Sequence, residues 1–259
     1  MIRLPTDKEK KRWAELCLVH SHTEVRGDEL QGIGTYNEKR VHRVIKEFVS
    51  SDPETYEIKL GGAVADVFSG GIITEIQTGS FYPLKKKIET YLNNTSYEVK
   101  IVHPAIVKKT IVRVDPITGE VIRRKASPKK ESPSKILPEL IYLAEHLRSR
   151  RLTFEVMSIT AEEHRYSDEI HRYRKSGRRD SELFPVSLEA VTTIEMTDDF
   201  LSLLPAELVA RGEPFTAAEF ERTSRIYGRY AYNSLGALCA AGALIKQKDG
   251  RKAAKYEFV

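Results

Sequence analysis

The chain has 259 residues, 41% of them hydrophobic, enough to fill a core in one large or two modest domains. Its 42 Lys/Arg against 37 Asp/Glu leave a net charge of +5, too mild for whole-chain charge to argue for a polyanionic partner. No apolar run approaches the roughly 18 residues that span a bilayer, and the charged start from Met1 to Lys11 does not read as a signal peptide. Cys17 and Cys239 lie far apart without CxxC or His-rich spacing, so a cytoplasmic protein with reduced thiols, no zinc and no membrane partner is expected.

Residues 1–34 read as an N-terminal extension, a short helix carrying Trp13, Leu16, Leu18 and Val19 that leads into a strand. His20 and His22 lack carboxylate or thiolate companions and read as exposed strand histidines. From Thr35 the pattern turns helical: Val41, Val44, Ile45 and Phe48 recur at i, i+3, i+4 and i+7, Asn37 suits a cap, and Ser50 to Pro53 stop the helix. Glu38 and His42 are four apart on it, hence neighbours.

Tyr56 to Leu60 reads as a strand. Ala63–Phe68 and Ile72–Thr78 follow as two β-branched runs joined by Gly70-Gly71, which suits a tight hairpin turn. The first run carries Asp66; the second carries Glu75 and Gln77, two apart and so on one face. Two carboxylates on flanking strands are what a hard divalent cation such as Mg²⁺ or Mn²⁺ needs, and such a site can activate water and neutralise a scissile phosphate. The plain alternative is an Asp at a strand end with Glu75 and Gln77 facing solvent.

A helix is expected from Phe81 to about Asn93, with Leu84, Ile88, Tyr91 and Leu92 on one side and Lys85, Lys86 and Lys87 crossing the other. Tyr97 to Pro104 is a near-continuous apolar strand, fit for the centre of a sheet covered on both faces. Ile106 to Arg124 reads as a basic hairpin turning at Asp115–Gly119, and Arg123 to Lys130 as a basic loop. Arg123, Arg124, Lys125, Lys129 and Lys130 would lower the cost of bringing in a nucleic-acid backbone. A helix over Ser134 to about Arg150 and a strand over Leu152 to Ile159 complete the core. The segment from His171 to Arg179 is basic with a Tyr able to stack on a base, or else a solvated linker.

From about Leu204 the character changes. Leu203–Ala210 is a short helix, Thr216 to Glu219 a capping box opening a second, Tyr230 to Ala241 a third closed by Gly242, and the rest a hairpin turning at Asp249-Gly250.

The Asp66-x8-Glu75-x-Gln77 spacing in strand context resembles the PD-(D/E)XK nuclease motif of restriction and repair endonucleases, with Gln77 where Lys is usual and Val64-Ala65 where a Pro often precedes the Asp. The element order helix, three strands, helix, strand resembles that family's αβββαβ core. The resemblance covers roughly residues 35 to 160 and implies an α/β restriction-endonuclease-like fold with a central mixed sheet over 35–200. It implies that Asp66 and Glu75 bind Mg²⁺, that Glu38 on the preceding helix points at the metal, and that Lys85 or Lys87 can stand in for the missing motif Lys.

The tail, 201–259, resembles a winged helix-turn-helix domain. That resemblance implies DNA contact by Arg225, Arg229, Tyr232 and Asn233 around the third helix and by Lys248, Arg251 and Lys252 at the wing tip. The expected function is a metal-dependent endodeoxyribonuclease acting on duplex DNA, with Asp66, Glu75 and Gln77 catalytic. Double-strand cutting would imply a homodimer. The alternatives are a non-catalytic DNA-binding or regulatory protein on a degenerate nuclease scaffold, and a nuclease acting on RNA or branched DNA.

Overall fold

The computed structural model describes residues 1–21, 33–115, 118–166, 181–248, 250 and 253–259; for 33–39 it describes the backbone alone. Strand β1 (Ile2–Arg3) and helix α1 (Asp7–Val19) open the chain, the helix entered through a capping box between Thr6 and Glu9. Helix α2 (Ile33–Val49) follows and is stopped at Ser50. The expected strand after the first helix does not form among the described residues: His20 caps α1 and meets Glu47 at 3.0 Å, while His22 lies outside them.

Strands β2 (Tyr56–Leu60), β3 (Ala63–Ser69) and β4 (Ile72–Ile76) form an antiparallel meander. Both glycines of the β3–β4 turn have positive φ, the backbone region that a two-residue hairpin turn requires. Helix α3 (Leu84–Asn94) then crosses one face, burying Leu84, Ile88, Tyr91 and Leu92 as its periodicity predicts. Strand β5 (Glu98–Val114) runs parallel to β4 and, on its other side, parallel to β7 (Leu152–Tyr166); its far half forms the expected hairpin with β6 (Val121–Ala126).

Strand β8 (Ser181–Ile194), which sequence reasoning did not mark, pairs antiparallel with β7 and takes β1 at its outer edge. The result is a mixed eight-stranded sheet in the order β1-β8-β7-β5-β4-β3-β2, with β6 branching from β5. Helices α1 and α2 cover one face through Trp13, Val41, Val44 and Ile45, packed on Val67, Ile76, Val102 and Met157.

The other face carries α3 and the segment 133–150. That segment is not the expected α-helix but two 3-10 turns, Pro133–Ile136 and Leu140–Leu143, in a run of i→i−3 bonds. Pro138 has no N–H for the carbonyl four residues back, and its ring crowds that carbonyl, so the tighter winding takes over. The apolar residues Ile136, Leu137, Leu140, Leu143 and Leu147 are buried nonetheless.

Beyond the sheet, 3-10 helix Thr197–Leu203 leads to α4 (Ala206–Arg211), β9 (Phe215–Thr216), α5 (Ala217–Ser224), α6 (Arg229–Ala241), β10 (Leu244–Gln247) and β11 (Lys255–Phe258). Thr216 and Glu219 make the expected capping box, Gly242 ends α6 in the left-handed conformation, and β10, β11 and β9 form a small antiparallel sheet. One apolar cluster runs from Phe81 and Phe154 through Phe200 and Leu203 to Phe215, Leu235 and Leu238, joining this unit to the large sheet.

Candidate functional site

The β3–β4 register pairs Val67 with Thr74, Phe68 with Ile73 and Ser69 with Ile72. One step further from the turn stand Asp66 and Glu75, the first met by α2 and the second by α3. At that step the side chain replaces a ladder bond: Ile76 N–H donates to Asp66 Oδ2 at 2.8 Å. His42 Nε2 on α2 lies 3.3 Å from the same oxygen. Glu38 belongs to the preceding turn of α2, but its side chain lies outside the described residues.

Glu75 is 2% exposed and both its oxygens are held from α3. Tyr91 Oη donates to Oε1 at 2.8 Å, and Lys87 Nζ to Oε2 at 2.6 Å. Lys87 and Tyr91 are four apart, so one helical face delivers both. Lys85 points elsewhere, its ammonium 3.9 Å from Glu145. Tyr91 was legible only as part of the apolar stripe of α3; the signal for its second role is its position one turn after Lys87.

Burial, and next the charge on Asp66, pushes the Glu75 carboxyl up to about 7, against the pull of Lys87 and Tyr91. Burial also acts to raise Asp66, but the bonds from His42 and Ile76 N–H and the nearby cations outweigh it and hold that carboxyl below its ordinary value. The pair therefore holds one carboxylate that stays ionised and one that titrates near neutrality. Burial, then the neighbouring Glu75 charge, raises the Tyr91 phenol, which stays a donor.

Gln77 sits just past β4, and its side chain turns away from the acids: Nε2 donates to Ser80 O at 2.5 Å. Its main chain is fixed on both sides, N–H to Val102 O at 2.9 Å and O accepting from His103 Nδ1 at 2.6 Å. Burial foremost lowers His103 to about 4, so the ring is neutral with its proton on Nδ1.

Among the described residues, no group of three or more His, Cys, Asp or Glu side chains is placed to hold a metal ion.

The basic residues divide differently from the sequence expectation. Arg123, Arg124 and Lys125 lie not in a loop but in β6, where alternation separates them; Arg124 Nη1 donates to Glu162 Oε1 at 2.5 Å. Lys129 and Lys130 are exposed beyond the strand. Of the expected linker, 162–166 belongs to β7, and the basic stretch from 171 to 179 lies outside the described residues.

In the C-terminal unit, Arg225 caps α5 in the left-handed conformation, and the Arg229 guanidinium opens α6 at 5.7 Å from the Tyr230 ring centroid. Tyr232 and Lys248 are exposed and Asn233 is half-buried; Arg251 and Lys252 lie outside the described residues.

These features define a mixed α/β protein whose large sheet carries a buried and a half-buried carboxylate, Glu75 and Asp66, gripped from the flanking helices by a lysine, a tyrosine and a histidine. A family model described as "Domain of unknown function (DUF8091)" matches residues 39–195, more than half the chain, and the chain belongs to that family. The matched region contains the pair and every side chain described around it. An "Uncharacterized protein" of Treponema pallidum (strain Nichols) is 28% identical over 178 residues, which cover 67% of this chain and 70% of that protein. No solved structure matches the chain. No described helix is long and apolar enough to cross a membrane.

Proposed function

We propose that this chain is a metal-dependent endonuclease that hydrolyses DNA phosphodiester bonds, on a PD-(D/E)XK-type core with a C-terminal winged helix. The observation that carries the reading is the Asp66–Glu75 pair on adjacent strands with Lys87 Nζ 2.6 Å from Glu75. The succession α2-β2-β3-β4-α3-β5 supports the core assignment, and α4-β9-α5-α6-β10-β11 supports the winged helix.

The donor set fits a hard cation. Two carboxylates on adjacent strands repel each other in a largely desolvated place, and Glu75 is driven toward protonation by burial and by the Asp66 charge, which a divalent ion would relieve. Asp66 and Glu75 would hold Mg²⁺ or Mn²⁺, and the bound ion supplies Lewis acidity and a more acidic water. The protein fixes both ligands: Ile76 N–H and His42 hold Asp66, while Tyr91 and Lys87 hold Glu75. With the Gln77 amide committed to Ser80, the positive charge needed beside a phosphate in the transition state falls to Lys87.

The test is incubation of pure protein with supercoiled plasmid and Mg²⁺ or Mn²⁺. Nicked or linear product is expected, abolished in Asp66→Asn and Glu75→Gln and slowed by about 10²–10³-fold in Lys87→Met.

A second reading has its own observation: the Lys87 and Tyr91 bonds already satisfy both oxygens of Glu75, as in a scaffold that has lost its metal. Duplex binding without cleavage under either metal would favour that non-catalytic DNA-binding or regulatory protein.

A further inference from the structure

The far half of β5, with β6 and β7, forms a ribbon whose register sets like charges side by side. Arg113 is paired with Arg123 on β6 and with Arg165 on β7, so three arginines stand in one row across three strands. In the next row on the same face, Ile111 lies between Lys125 and Glu163. Glu163 accepts from Arg165 Nε at 2.7 Å and pairs with Lys109 at 2.5 Å. The face thus carries Lys109, Arg113, Arg123, Lys125 and Arg165 against one carboxylate. Asp115 and Glu120 sit at the hairpin turn, where the Asp115 carboxylate accepts from Thr118 N–H.

Like charges directly opposed on a sheet are destabilising. Arg113, Arg123 and Lys125 are exposed, and none forms an ion pair with an acid among the described residues. The opposite face resolves the same problem internally, with Arg124 on Glu162 and Val112 and Val114 buried. A sheet that neutralises one face and concentrates cations on the other is arranged for an external polyanion.

We infer that this face of the β6–β5–β7 ribbon is a binding site for the phosphate backbone of a nucleic acid, read through Arg113, Arg123 and Lys125. The inference rests on the nucleic-acid part of the proposed function and not on cleavage. It assigns Arg113, which the sequence did not single out, and removes Arg124. Strand spacing puts the outer two arginines of the row about 10 Å apart, and the second row lies about 7 Å along the strands. Each of Arg113, Arg123 and Lys125 can then neutralise one phosphate.

The experiment measures binding of full-length protein to a labelled duplex and to a labelled single strand by fluorescence anisotropy, in EDTA, from 50 to 200 mM salt. The variant Arg113→Thr/Arg123→Thr/Lys125→Thr is expected to flatten the log–log salt dependence by about 2.7 on duplex or about 2.1 on single strand. Its thermal midpoint should be equal to or above that of the unaltered protein, because repulsion is removed. Arg124→Thr, on the other face, should leave the slope unchanged.

A triple-variant slope within about 0.5 of the unaltered protein overturns the inference. So does binding to phosphatidylserine vesicles with none to either nucleic acid. Should the triple variant not fold, the exposed edge change Arg123→Thr carries the same test, with an expected slope change of about 0.9 on duplex. Because no metal is present, absence of plasmid cleavage would sink the nuclease reading and leave this result standing.

Discussion

Glu75 is a carboxyl caught between opposing forces. Burial and the Asp66 charge raise it to about 7, while Lys87 and Tyr91 stabilise its ionised form. A carboxyl with a folded-state value above its unfolded one favours folding while protonated. That contribution is fully present below the ordinary value of 4.5 and is lost as pH rises through about 7. Urea unfolding at pH 5 and pH 8 should therefore show the unaltered protein losing on the order of 2 kcal/mol relative to Glu75→Gln across that interval. If both proteins respond equally to pH, Glu75 does not titrate in this range. Sequence spacing brought Asp66 and Glu75 to notice as acids on flanking strands. It held no sign that the two would differ, because their asymmetry comes from α2 and α3 supplying different donors.

At the level of elements, the approach of α3 to the hairpin depends on the glycine turn between β2 and β3. Gly61 has φ +58°, and a Cβ there would meet Thr95 Cγ2 at 2.9 Å and Asn94 Cβ at 3.2 Å. Asn94 Nδ2 also donates to Gly61 O at 2.8 Å, tying the C-terminal end of α3 to the turn. Gly61→Ala should cost ~1–3 kcal/mol in chemical denaturation, a cost of backbone strain and close approach together. Gly70→Ala has equally unfavourable φ but open space around it, so its cost should be smaller. The hairpin, α3 and the capping box at Thr216 were legible because each is specified within a dozen residues. Residues 134–150 were misread for a local reason too: their apolar spacing fits a helix, and Pro138 overrides it.

At the scale of the molecule, the C-terminal unit shares its core with the large sheet. Phe154 and Phe200 rings lie 6.2 Å apart, Ser134 Oγ donates to Leu203 O at 2.6 Å, and Arg148 Nε donates to Ala240 O at 2.8 Å. A Cβ on Gly236 of α6 would sit 3.3 Å from Ile141, so this helix packs closely on the 3-10 segment. Shared burial of this kind couples unfolding. Urea unfolding should give one transition, with fluorescence of Trp13, the single tryptophan, coinciding with far-UV circular dichroism. Trp13 reports the α1–α2 face and circular dichroism the whole chain, so two separated midpoints would show that the C-terminal unit unfolds independently.

The amino-acid sequence by itself determined the hairpin, its two acids, the helix that starts at the Thr216 cap and the order of elements around the hairpin, while the cap expected at Asn37 falls inside α2, which begins at Ile33. Those depend on alternation, turn residues and caps that act over a few positions. Tertiary structure decided which of three consecutive lysines reaches Glu75, and that Arg123 and Lys125 share a face while Arg124 finds Glu162. It also set β8 beside β7 and gave β1 a partner 190 residues away in the chain, Ile2 against Thr192. These choices depend on strand register and helix docking between segments distant in sequence, and a one-residue change of register would hand every charge to the opposite face.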